Sequence, residues 1–304
     1  MDKIVVIGSV GVDIILGPVE SWPEWGYEIL TKDISVRLTG AAGNVATTFS
    51  AISEHPYKLN LLTVVGNDFF GKLFIDFYSK VGINVKGIKM IEGSTCISIG
   101  IKNTTNERSF FTHLGVLDQI NISRIIDEEL QNSLILICGF NLIPSMWSKD
   151  FESLIKEISK NNFVLFDPGC PFDNWKEFSE QIRNILPYIH IFSPNIDEFL
   201  NFNNSSDINE AYEKFIKEFD TTTIIKAGSK GSYLIKKNSF HHFSIESESN
   251  VKDTIGAGDA FNAGLLNYFF VNQSIEINND AIQYASKVAK NWIRGNYWKE
   301  ISLI

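Results

Sequence analysis

Short, continuous apolar runs rich in β-branched residues recur along the chain at 4–7, 61–65, 134–138, 163–166, 189–192 and 223–225. Successive side chains of a strand point to opposite faces, so a run with no polar alternation reads as a strand buried on both. Between these runs, apolar residues recur at helical spacing over 44–53, 70–81, 122–132, 148–161, 209–219, 260–271 and 279–292. Strand and helix alternating in this rhythm predict an α/β fold, with a three-layer αβα core on a mostly parallel sheet.

Two segments break the rhythm. Residues 11–38 hold Val12-Asp13-Ile14-Ile15, a turn rich in Trp and Pro, and Ile34-Ser35-Val36. Residues 94–113 hold Thr95-Cys96-Ile97-Ser98-Ile99 and Arg108-Ser109-Phe110-Phe111-Thr112. Both alternate apolar with polar residues, which predicts strands with one wet face. The expectation is a small antiparallel sheet, made of these two insertions, that acts as a lid over a core of residues 1–10, 39–93 and 114–304. The apolar faces of Ile14, Val36, Ile97, Ile99 and Phe110 would pack on the core edge or on a second subunit, so a homodimer through the lid is expected.

Charge and composition narrow the function. The 304 residues carry a net charge of −9, which disfavours a nucleic-acid partner because phosphate backbones need basic surface. No run approaches the roughly 18 apolar residues of a membrane-spanning helix, so no membrane role is expected. Residues 1–8 enter a β-branched run without the basic start and long apolar centre of a secretory leader. The three cysteines, Cys96, Cys138 and Cys170, form neither a disulfide framework nor a metal motif. A cytoplasmic protein is the expectation.

The strongest local signal is Asp253-Thr254-Ile255-Gly256-Ala257-Gly258-Asp259-Ala260-Phe261-Asn262, which opens a helical pattern. Two glycines around a small residue let a backbone come close to a ligand. Unpaired N–H groups and the positive end of the dipole favour an anion there. Asp259 in the same turn would repel that anion unless it has a task. Accepting a proton from a hydroxyl that attacks a phosphoryl group is such a task.

This string resembles the C-terminal signature D-T-x-G-A-G-D-x-F of the ribokinase-like (PfkB) carbohydrate kinases. Four further segments resemble motifs of that family in the same order: Thr39-Gly40-Ala41-Ala42-Gly43-Asn44-Val45-Ala46, Val65-Gly66-Asn67-Asp68-Phe69-Phe70-Gly71, Pro194-Asn195-Ile196-Asp197-Glu198 and Lys226-Ala227-Gly228-Ser229-Lys230-Gly231. The resemblance spans residues 3–295 and implies a ribokinase-like fold. It implies Asp259 as general base, with the N–H groups of Gly256, Ala257 and Gly258 as an anion hole. Asn195, Lys226, Gly228, Gly231 and Thr254 would border ATP, and Glu198 would organise Mg²⁺ through phosphates or water. Asp13, Gly40 and Asn44, with Asp259, would hold the sugar. Asp253 and the Ile255 carbonyl would hold a monovalent cation such as K⁺, as in many relatives. Thr39 and Gly11 depart from the family pattern, which usually has a glycine and often an asparagine there; both lie on the sugar side.

Taken singly, several of these residues have plainer readings. Asn44 could cap a helix and Glu198 could be a first-turn acid. Lys226 could be a solvated strand end, and Asp13 could face water. Gly66–Leu73 nearly matches a P-loop, but Leu73 lacks the hydroxyl that holds Mg²⁺ and Phe69 and Phe70 would obstruct the wrap. Gly8-Ser9-Val10-Gly11 is not a dinucleotide fingerprint, and no HExxH is present.

The expected function is ATP-dependent transfer of the γ-phosphoryl group to a hydroxyl of a small sugar, of the ribose or fructose type or a related carbohydrate. The alternatives are a nucleoside or sugar-phosphate kinase of the same fold, or a non-catalytic sugar-binding protein. A sugar phosphate would need an extra cation near the lid, for which Lys32, Arg37, Lys102 and Arg108 are candidates.

Overall fold

In a computed structural model of the chain, residues 1–105, 107–119, 130–237, 239–246 and 248–297 are described. Thirteen strands and eight α-helices are assigned among them. Nine strands form one sheet in the order β13-β12-β11-β10-β9-β8-β1-β4-β5. Its parallel part comprises β1 (Lys3–Ile7), β4 (Leu59–Gly66), β5 (Ile88–Ile91), β8 (Ser133–Ile137), β9 (Phe163–Phe166), β10 (Ile191–Phe192) and β11 (Thr222–Lys226). The antiparallel strands β12 (Ser232–Lys236) and β13 (Ser239–Phe243) close one edge.

The continuous apolar runs are buried on both faces. In β1, Ile4 and Val6 join one core cluster, Val5 and Ile7 join the other, and all four are fully buried. The first cluster packs α1 (Ala41–Ile52), α2 (Phe69–Lys80), α7 (Ala257–Asn272) and α8 (Asn279–Ile293) on one face of the sheet. The second packs α3 (Lys149–Ile158), α4 (Trp175–Ile185), α5 (Ile196–Phe202) and α6 (Ile208–Glu218) on the other. This is the three-layer αβα core. The helix expected over 122–132 lies almost wholly outside the described residues.

Helix α7 differs from its neighbours. It is apolar around most of its circumference and buried along most of its length, because it packs between the sheet, α1 and α8. The helix that carries the glycine-rich turn is therefore an internal one, and its N-terminus is fixed by the core.

The two insertions form a separate four-stranded sheet, in the order β3-β2-β6-β7. Its strands are β2 (Gly11–Val19), β3 (Asp33–Thr39), β6 (Ile97–Asn103) and β7 (Arg108–His113). The sheet is not wholly antiparallel, contrary to expectation: β2 and β6 at its centre run parallel. Each insertion leaves the core on its first strand and returns on its second. The two outgoing strands pair, and the returning strands flank them. Val36 and Ile14 pack on the core, whereas Ile99, Phe110 and Phe111 stay exposed.

Candidate active site

The C-terminal ends of the parallel strands open onto a cleft of about 500 Å³, where open α/β sheets bind their ligands. Its walls come from the strand-end residues Asp167 and Lys226, from Asn195 and Glu198 at the start of α5, and from Gly256–Asp259 at the start of α7. Residues 245–251 and 286–293 add the apolar Ile245, Val251, Ala289 and Ile293. The same stretches also bring Glu246, Glu248, Ser286 and Lys290 to the lining, so apolar side chains alternate there with polar ones, a mixture that can take a flat ring and its polar edge. Thr254, Gly228 and Gly231 also line the cleft.

Gly256 caps α7 with φ +83°, a left-handed conformation that L side chains rarely adopt. A Cβ there would lie 2.7 Å from the Trp292 ring and 3.0 Å from Asn44 Nδ2. The glycine is thus required by the fit between loop and α8 as well as by any ligand. The Ala257 N–H donates to the Thr254 carbonyl at 3.1 Å. That hydrogen bond engages one of the three expected anion-hole donors, and Gly256 and Gly258 line the cleft on either side of it.

Asp259, in the first turn of α7, accepts a hydrogen bond from Asn44 Nδ2 at 2.8 Å. Burial, reinforced by the charge of Asp167, pushes its carboxyl up to about 7. Asn44 does not cap α1, because Gly40 does, with φ +92°. The Asn44 side chain is free to cross to Asp259, and its Oδ1 accepts from Thr39 Oγ1 at 3.4 Å.

Lys226 is an inward ion pair rather than a solvated strand end. Its ammonium contacts Asp167, whose Oδ2 also accepts from Asn262 Nδ2 at 2.5 Å. Burial opposes the Lys226 charge, but Asp167 and Glu198 more than offset it and raise its pKa. A Cβ on Gly258 would be 3.4 Å from Lys226 Nζ, so the cation lies against the glycine turn. Glu198 closes a capping box with Asn195: its carboxylate accepts from the Asn195 backbone N–H at 2.8 Å and from Nδ2 at 2.6 Å. The plain reading of Glu198 as a helix-start acid is therefore met while the residue also borders the cleft. Burial and the nearby Asp167 push it up to about 7, against the pull of Lys226.

Asp13 on β2 is buried and lies opposite Arg37 in the sheet register. Burial pushes Asp13 up to about 6, and Arg37 partly opposes this. A Cβ at Gly11 would lie 3.1 Å from the Cys96 carbonyl, so the neighbouring strand crowds this position. Of the four basic candidates, Arg37 and Arg108 turn onto Asp253. Arg108 Nη1 lies 2.6 Å from Oδ1 and Arg37 Nη2 lies 3.0 Å from Oδ2. Burial opposes the Asp253 charge, but Arg108, the Ile255 N–H and Arg37 hold its pKa below the ordinary carboxylate value. The Ile255 carbonyl accepts from Trp292 Nε1 at 2.6 Å. Both atoms expected to hold a monovalent cation thus already have protein donors.

The near P-loop is a structural turn. Asp68 caps α2 by accepting from the Gly71 N–H and also accepts from Thr95 N and Oγ1, all at 2.7 Å, while Phe69 is exposed. Sequence reasoning missed Asp167, Asn262 and Trp292. Asp167 carried a signal, as an acid directly after a strand buried on both faces. The other two carried none that could be read locally.

The profile of the pfkB family carbohydrate kinases matches residues 1–294. The chain belongs to that family. It is 25% identical over 283 residues to a nucleoside kinase of Methanocaldococcus jannaschii, covering 91% of this chain and 86% of that one. Ribokinase from Thermotoga maritima superposes with a TM-score of 0.76 at 24% identity, covering 97% and 93% of the two chains. A fructokinase double mutant from Vibrio cholerae, solved with fructose, ADP and a potassium ion, superposes with a TM-score of 0.74 at 21% identity, covering 95% and 90%. This pfkB kinase therefore has the ribokinase fold and is a phosphotransferase with a hydroxyl acceptor. No helix among the described residues is long and apolar enough to cross a membrane.

Proposed function

We propose that this pfkB kinase transfers the γ-phosphoryl group of ATP to a hydroxyl of a small uncharged sugar or a related polyol. The observation that carries the reading is Asp259. It stands at the mouth of α7, bonded to Asn44, and burial brings its titration to about 7, where a general base is most effective at neutral pH. The acceptor oxygen attacks the γ-phosphorus as its proton passes to Asp259, and the bond to the β-phosphate oxygen breaks to release ADP. The N–H groups of Gly256 and Gly258, the dipole of α7 and Lys226 face the charge that develops on the transferring group. The apolar side chains of Ile245, Val251, Ala289 and Ile293 in the cleft lining suit the faces of the adenine ring.

Among the described residues no cluster of three acidic, His or Cys side chains could hold a metal by itself. The oxygens of Glu198 and Asn195 are engaged with each other in the capping box, so a Mg²⁺ that arrives with the nucleotide would meet them through water or phosphate oxygens, where it would neutralise phosphate charge. Asp13, Gly40 and Asn44 form the sugar side. The engagement of Arg37 and Arg108 with Asp253 occupies two of the four cations a sugar phosphate could use, which supports an uncharged acceptor. The small sheet serves as the lid and, in this reading, as the contact between two subunits of a cytoplasmic homodimer. Trp25, Leu30 and Phe111 are among its exposed apolar residues.

The decisive experiment is ADP release with ATP and Mg²⁺ across free sugars, nucleosides and sugar phosphates. Turnover on a pentose or hexose supports the reading. Turnover confined to nucleosides or to sugar phosphates replaces the acceptor class, and failure with every class overturns it.

A further inference from the structure

The loop that leads into the glycine turn is held by three side chains from three separate elements: Arg37 on β3, Arg108 on β7 and Trp292 on α8. A bare monovalent cation at this loop would need oxygen lone pairs directed at it. Asp253 is buried, and both its oxygens are engaged. Arg37 donates to Oδ2, while Arg108 and the Ile255 N–H donate to Oδ1. The Ile255 carbonyl receives the Trp292 indole N–H. The void beside the loop is about 10 Å³ and has Arg37 and Trp292 in its wall, so a second cation there would face a like charge.

We infer that fixed donors of the protein, the guanidinium groups of Arg37 and Arg108 with the Trp292 indole, occupy the role a potassium ion has in relatives, and that this chain works without a monovalent cation. The inference rests on the reading that the 253–258 turn receives the transferring phosphoryl group. A charge fixed to the chain orients the turn at any salt composition, whereas a bound ion does so only when its concentration exceeds its dissociation constant. Arg37, Arg108 and Trp292 are positioning residues, since they act on the turn rather than on substrate. The two arginines come from opposite edges of the small sheet, so the turn is oriented by the sheet that covers the acceptor.

The test compares KCl with tetramethylammonium chloride at equal ionic strength, using turnover on the best acceptor and the melting temperature of the full chain. The wild type should show less than twofold difference in turnover and no potassium-specific shift in melting. Arg108→Ala/Trp292→Phe removes one of the two donors on Asp253 Oδ1, leaving the Ile255 N–H, and removes the indole donor from the Ile255 carbonyl. Its turnover should fall by about tenfold or more in tetramethylammonium and recover several-fold in KCl. Activation of the wild type fivefold or more by potassium overturns the inference. So does a loss in the double variant that potassium leaves unchanged while melting matches the wild type. If that variant does not fold, the wild-type comparison decides alone. If no acceptor is turned over, the kinase reading fails separately, and a potassium-specific rise in wild-type melting temperature still counts against the inference.

Discussion

Replacing Asp259 with asparagine should separate catalysis from stability, in opposite directions. The ordinary aspartate value is 3.8, and in the fold burial and Asp167 push Asp259 to about 7. Between about pH 4 and 7 the folded state holds a proton that the unfolded chain has released, so stability falls as pH rises through that window and levels off above it. With 1.36 kcal/mol for each pH unit between the two values, the ionised carboxylate destabilises the free protein by about 4 kcal/mol. Asp259 is only partly buried and lines the open cleft, so about 2–4 kcal/mol is the working range. The substitution Asp259→Asn keeps an oxygen for Asn44 Nδ2 and removes the charge. At roughly 2.1 cal/mol/K of unfolding entropy per residue, the variant should melt about 3–6 °C higher at pH 8 and only slightly higher at pH 5. Turnover should fall by about 10²–10⁴-fold, the usual contribution of a general base. Thermal unfolding from pH 5 to 8.5, paired with ADP release at saturating acceptor, measures both. A variant that melts lower at pH 8, or that keeps near-full turnover, refutes the argument from burial.

Other expectations follow from neighbouring contacts. Wild-type turnover should rise with pH along an acid limb centred near 7, because Asp259 must be ionised to accept the proton, and a profile flat from pH 5.5 to 8 contradicts this. Lys226→Met leaves Asp167 without its buried partner and should destabilise by about 3–5 kcal/mol at pH 8, less near pH 6, where Glu198 and Asp259 take up protons; denaturant unfolding at the two pH values reads the difference. Gly256→Val forces a β-branched residue into a left-handed conformation against Trp292 and should lower both melting temperature and ATP affinity, by about 1–3 kcal/mol in stability for the backbone alone. Phe111→Glu on the exposed face of β7 should convert a lid-mediated dimer to monomer in light scattering without lowering the melting temperature by more than about 2 °C.

The core was legible because its signal is local. A strand buried on both faces has to be apolar throughout, and β1, β8 and β9 announce themselves in five residues or fewer. Helix α4 carries the helical spacing too, in Phe178, Ile182 and Ile185, but it stands between two strands close to Pro171 and Pro187 and was not read from the sequence. The hairpin of β12 and β13 was missed because edge strands mix polar with apolar side chains. Alternation marked the small sheet but carries no direction, so the parallel pairing of β2 with β6 could not be read. In the site, the glycine turn and Asp259 were legible as contiguous residues. The partners of Asp253 were not: Arg108 and Arg37 lie 145 and 216 positions away in sequence, and only the fold brings them together.

The two insertions are closed excursions whose ends meet. Where the first leaves and rejoins the core, the Ala42 N–H donates to the Ser9 carbonyl at 3.0 Å; where the second does, the Val116 N–H donates to the Ser94 carbonyl at 2.9 Å. A segment anchored in this way can be lengthened, shortened or exchanged while the strands beneath keep their places. Residues of the small sheet, Asp13 among them, can therefore diversify between lineages as a cassette, independently of the cleft beneath. Arg37 and Arg108 travel in that same cassette. In the reading proposed above, a chimera given the insertions of a potassium-using relative would exchange Asp13, Arg37 and Arg108 in one step while Gly40, Asn44, Asp253 and Trp292 stay with the core, so one part of the ion requirement and one part of the acceptor contact are heritable together.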